Sequence, residues 1–175
     1  VTDAAVLPAL TVRRTEPEAL FLVETWGDGA AVERRLAAAG IATPALCRST
    51  SSGDLRLMWW EPNTWLVRSP KPLRDETAAR LTEALAGDGA VTDVSGAFVQ
   101  VRVEGALWRS LLMIGGVFDA EAEGFGPGSV AGTVIHHLPV RLDVIGDGAV
   151  DAYVPPSYAA DLLHHWGAAT ARQLA

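Results

Sequence analysis

The order strand, helix, two or more strands and a proline-led helix runs twice along this chain, once before Leu85 and again after Phe98. In the first run, Phe21 to Thr25 reads as a strand. Asp28 is placed to cap a helix that carries Val32, Leu36 and Ala39 on one face and stops at Gly40. Leu55 to Trp60 and Thr64 to Arg68 form a hairpin about Pro62 and Asn63. After Pro70 and Pro72, Leu73, Thr77, Leu81 and Leu85 recur every fourth residue, the stripe of a surface helix. In the second run Val99, Val101 and Val103 alternate with Phe98, Gln100 and Arg102, which predicts a strand with one buried face. A helix from Gly105 carries Leu107, Trp108, Leu111 and Leu112 and ends at Gly115 and Gly116; an irregular stretch follows through Pro127. Strands at Val130 to His136, Pro139 to Ile145 and Val150 to Val154 lead to a last helix, opened by Pro155, Pro156 and Ser157 and striped by Ala159, Leu162, Leu163 and Trp166. The expected fold is α+β: two ferredoxin-like half-units, pseudo-repeats over about residues 20–90 and 91–170, packed as one domain over 1–175 because neither half can bury both sides of its own sheet.

Composition limits what such a fold can do. Hydrophobic residues make up 49% and charged ones 20% of the 175 residues, a globular balance. A net charge of -7 leaves no basic excess to pair with phosphates, so nucleic acid and acidic membranes are not expected partners. Cys47 is the single cysteine, which fits a reducing compartment and excludes a thiolate metal cluster. Val1 to Arg14 lacks the basic start and apolar core of a leader, and no stretch approaches the ~20 apolar residues of a membrane span. The expected location is the cytoplasm.

Each motif that could carry chemistry has a simpler explanation. Gly-Asp-Gly-Ala occurs at Gly27, Gly87 and Gly146, but each copy supplies one carboxylate where a calcium loop needs several, and Asp-Gly is a good turn. His136 with His137 and His164 with His165 are adjacent pairs; neighbours on a strand or helix diverge, so neither pair chelates one ion unaided, although cross-pairing stays open. Cys47 beside Arg48 lacks any recognisable catalytic context. Gly124 to Ser129, GFGPGS, has neither dinucleotide nor P-loop spacing, and Pro127 removes a backbone donor from it. No catalytic, cofactor-binding or metal-binding residue is therefore assigned. Trp59, Trp60 and Trp65 cluster on the hairpin, and alternation turns Trp59 and Trp60 to opposite faces, so one of them meets a partner or is covered by a terminus. The residues assigned to a partner interface are Trp59, Trp60 and Trp65, with Phe118 and Phe125 of the irregular segment Ile114 to Gly128.

VTDVSGAFVQVRVEGALWRSLL from Val91, FGPGSVAGTVIHHLPVRLDVI from Phe125 and DAYVPPSYAADLLHHW from Asp151 resemble the gamma subunit of heterotetrameric sarcosine oxidase. EPNTWLVRSP from Glu61 is similar to that family's Pro-x-x-Trp-Leu hairpin. Where the family has a Ser-Gly-Pro helix start, Val103, Glu104, Gly105 and Ala106 stand here. The resemblance implies a fold like the folate-binding domain of glycine-cleavage aminomethyltransferases. It implies a subunit without cofactor, whose alpha, beta and delta partners hold FAD, FMN, NAD, tetrahydrofolate and zinc, in a complex that oxidatively demethylates sarcosine or a related N-methyl amino acid. The Asn-x-x-Gly-Gly string of active aminomethyltransferases and the Cys-Tyr-x-Gly-Gln motif of iron-sulfur maturation proteins are absent. The alternative, a self-sufficient folate-binding or one-carbon-transfer protein, requires Asp93, Glu104 or Asp143 to contact the pterin.

Overall fold

The structure, a computed structural model, describes residues 10–16 and 18–173. Part of the amino-terminal stretch read for a leader, Val1–Ala9, lies outside the described residues. The chain divides into two compact units, one of residues 17–97 and one formed by residues up to Glu16 together with 98 onward.

The unit of residues 17–97 is a five-stranded antiparallel sheet with two helices. Its strands are β2 (Ala19–Thr25), β3 (Ser49–Ser52), β4 (Leu55–Glu61), β5 (Thr64–Ser69) and β6 (Gly89–Asp93), in the order β3-β4-β5-β2-β6. The helices are α1 (Gly29–Ala38) and α2 (Arg74–Leu85). Asp28 caps α1 as its position predicts, its side chain accepting from the Ala30 and Ala31 amides. Val32 and Leu36 of α1 and Leu81 and Leu85 of α2 bury against Phe21, Val23 and Val67 of the sheet. Arg35 ties the helices together by donating to the Ala84 and Leu85 carbonyls and to Asp88. Those carbonyls end α2, where a cation is favoured.

The other unit repeats this plan. Its strands are β1 (Thr11–Arg14), β7 (Val99–Glu104), β8 (Val130–Ile135), β9 (Leu138–Gly146) and β10 (Ala149–Val154), in the order β1-β7-β10-β9-β8, with helices α3 (Trp108–Met113) and α4 (Pro156–Gln173). Matching β2 to β7, β3 to β8, β4 to β9 and β5 to β10 makes the two orders identical, with β6 and β1 as equivalent fifth strands. The fifth strands are exchanged. β1 precedes β2 in sequence yet pairs with β7, and β6 precedes β7 yet pairs with β2.

Two sequence expectations change. The helix expected from Gly105 begins at Trp108, because Gly105 sits at φ +134° and its amide donates to the Gly148 carbonyl instead of opening a helix. The single buried face expected of β7 is also wrong. Val99, Val101 and Val103 do face the core with Trp108, Leu111, Leu162 and Trp166. On the opposite face, however, Gln100, Asp143, Asp151 and Tyr153 are buried as well. The sheet of the first unit follows suit, with Leu20, Met58 and Leu66 buried away from its helices.

Candidate interaction surfaces and polar sites

The tryptophan hairpin is built on the cross-strand pair Trp59 and Trp65. Asn63 at φ +60° makes its turn, and the Asn63 carbonyl accepts from the Thr25 amide and hydroxyl, fixing the tip to β2. The ladder shifts between Trp59 and Glu61, so Trp60 is the extra residue of a β-bulge. A bulge breaks the strict alternation from which opposite faces were expected for Trp59 and Trp60, and it re-aims the side chain it carries. Trp65 is only 6% exposed, within the hydrophobic core. Trp59 and Trp60 beside it are half-buried. Trp26, which the sequence reading did not single out, is 55% exposed next to the β2 end of this turn.

The segment between α3 and β8 is irregular but ordered by its own contacts. Phe125 packs on Trp108 with centroids 6.1 Å apart, and Phe118 meets Phe125 edge-on at 5.5 Å. Arg109 lies over the Trp108 ring at 4.4 Å and donates to the Ala120 carbonyl. The Ser129 hydroxyl closes the GFGPGS turn, accepting from the Gly126 amide and donating to the Gly124 carbonyl. Phe118 and Phe125 are thus partly buried anchors against the core of their unit. Val117, between them and α3, is 75% exposed.

A folate site was expected to use Asp93, Glu104 or Asp143; the first two are engaged within the chain and the third is buried. Asp93 accepts from Arg74 Nε at 2.6 Å and from the Ser95 amide at 2.9 Å. Burial works to raise its carboxyl, but the Ser95 bonds and the Arg74 guanidinium outweigh it and hold it below the usual carboxylate range. Glu104 accepts from Arg13 at 3.4 Å. Asp143 is fully buried as the cross-strand neighbour of Asp151. Asp151 accepts from Arg102 Nε and Nη2 at 2.7 and 2.8 Å, and these bonds, against the opposing effect of burial, raise the guanidinium above its ordinary range.

The Gly-Asp-Gly-Ala copies do three structural jobs: Asp28 caps α1, Asp88 pairs with Arg35 at 2.7 Å, and the Asp147 carbonyl accepts from Trp108 Nε1. The histidines cross-pair, His136 of the β8–β9 turn stacking on His165 of α4. Among the described residues, no group of three or more His, Cys, Asp or Glu could hold a metal ion. Cys47 is exposed, and no helix among the described residues is long and apolar enough to cross a membrane.

Two sheets of one strand order, each with two helices of its own, place the chain in the fold class of the aminomethyltransferases. It is similar to the glycine cleavage system aminomethyltransferase T from Bartonella henselae, with a TM-score of 0.65 and 13% identity over 90% of this chain and 45% of that one. The heterotetrameric sarcosine oxidase from Corynebacterium sp. U-96, solved in complex with pyrrole 2-carboxylate, gives a TM-score of 0.79 at 20% identity, covering 90% of this chain and 81% of that one. The model of the Sarcosine oxidase, gamma subunit family matches residues 24–172, and the chain belongs to that family. No curated protein matches the sequence significantly.

Proposed function

We propose that this chain is the non-catalytic, structural subunit of a heterotetrameric sarcosine oxidase-like flavoenzyme in the cytoplasm. The observation that carries the reading is the gamma-subunit family match over residues 24–172. The complex oxidatively demethylates sarcosine or a related N-methyl amino acid, passing the methyl carbon to tetrahydrofolate and the electrons to oxygen. Alpha, beta and delta partners hold FAD, FMN, NAD, tetrahydrofolate and zinc, and this chain contributes shape and contact surface as one domain. The hairpin with Trp59 and Trp60 and the segment anchored by Phe118 and Phe125 are the surfaces it offers. The bonds of Asp93 and Glu104 within the chain and the full burial of Asp143 speak against a folate site of its own.

Co-expression with the neighbouring large subunits, followed by affinity capture of this chain, tests the reading. The captured complex is expected to carry flavin absorbance, and the chain expressed alone to carry none. A stable monomer with bound flavin, or calorimetric binding of a reduced folate by this chain alone, overturns the proposal in favour of a self-sufficient folate protein.

A further inference from the structure

The turn between β8 and β9 consists of His136 and His137, both with left-handed backbone angles, φ 48° and 70°. Turns of this handedness favour Asn and Gly, so imidazoles held there call for a reason. The His136 ring lies flat on that of His165, centroids 4.2 Å apart and planes 11° from parallel, with the His137 ring 5.4 Å from His136. His165 Nε2 is 3.0 Å from the Ile114 carbonyl oxygen. A carbonyl only accepts, so Nε2 carries the hydrogen and Nδ1 is left to take up a further proton. The same two segments meet through the His136 amide, which donates to the Gly115 carbonyl at 3.0 Å, and through the bridge of Gly116 with Ile135. Glycine at 115 admits the ring, since a Cβ there would lie 3.0 Å from His165 Nε2.

We propose that the His136–His165 stack is a proton-sensitive latch, holding the β8–β9 turn on the segment that follows α3 and releasing it when both imidazoles are charged. A proton on His165 Nδ1 leaves the bond to the Ile114 carbonyl in place, whereas protons on both rings put two like charges about one ring-stacking distance apart. Around the pair, the turn contributes His137 and α4 contributes His164 and Asp161, the latter one helical turn before His165. β8 and Ile114–Gly116 carry no ionisable side chain, and Arg109 of α3 is engaged with the Ala120 carbonyl. Release of the turn loosens the start of the segment that carries Val117 and Phe118.

Amide exchange in the full chain, expressed as a protection factor for the His136 N–H, tests this between roughly pH 8 and roughly pH 5, where imidazoles take up protons. The factor is expected to fall about fivefold or more on acidification, while that of Leu142 in the sheet core holds. His165→Phe keeps a flat ring that takes no proton, and His165→Gln keeps a donor for Ile114; in both the fall is expected to vanish. His164→Gln is expected to retain it. A flat profile in the unaltered chain, or an equal fall in either His165 variant, overturns the latch.

Discussion

Arg102 and Asp151 face each other across β7 and β10, joined by two parallel hydrogen bonds, with the carboxylate fully buried and the guanidinium a fifth exposed. A buried pair of this kind contributes little over an apolar pair of the same volume but is costly to break from one side. Arg102→Met, which leaves Asp151 charged and without its bidentate partner, is expected to cost about 3–5 kcal/mol in urea unfolding. The double variant Arg102→Met, Asp151→Leu is expected to recover most of that loss. A double variant no more stable than the single one would show that Asp151 has a further role.

Asp93 gives a second expectation, with a sign. Its folded carboxyl sits below the ordinary carboxylate range, so its contribution is present above the unfolded value and is lost as pH falls through the folded one. Its partner Arg74 is half exposed, which screens the pair to under about 1 kcal/mol. Asp93→Asn should therefore destabilise slightly at neutral pH and flatten the acid side of the stability profile below about pH 4. Denaturant midpoints across pH measure both effects.

Trp59 and Trp65 pair across the hairpin but should separate by assay. Trp65→Ala removes a core ring and is expected to cost about 3–5 kcal/mol of folding stability. Trp59→Ala, at a half-buried site, should spare more of the fold and instead weaken capture of the large subunits. Equal effects of the two on folding, with assembly untouched, would remove this hairpin from the interface.

Gly116 lies so close to the Leu112 carbonyl that a Cβ there would clash with backbone, whereas nothing stands near the corresponding position at Gly29. Gly116→Ala is expected to lower stability by about 1–3 kcal/mol. Gly29→Ala, at the first turn of α1, should be neutral or mildly stabilising. Thermal melts of the pair make the comparison.

The elements legible in the sequence are those with an apolar rhythm and a marked end: α1 between Asp28 and Gly40, the β4–β5 hairpin, and the stripe of α4. β3 was not legible, because Ser49–Ser52 pairs only with β4 and has no apolar residue to alternate. β6 was hidden behind the second Gly-Asp-Gly-Ala turn, its first residue being the second glycine of that motif. The face of β7 that carries Gln100 and Arg102 read as unburied because polarity normally marks a solvent face, and the burial of Gln100 beside Asp151 and Tyr153 leaves the same alternation in the sequence. In the candidate interface, the clustered tryptophans were visible, but the bulge that places Trp60 depends on register with β5, which only the paired strands reveal.

β1 pairs with β7 although Thr11 and Glu104 are 93 positions apart, and this has a consequence for synthesis. β1 must wait for its partner strand, made up to 93 residues later, before it finds its place, whereas β6 docks backward on residues already made. Severing the chain after Ala97 would strand β1 on the wrong fragment. The sheet of β2 to β6 would be whole on the first fragment, and the second would complete its own only by borrowing β1 from the first.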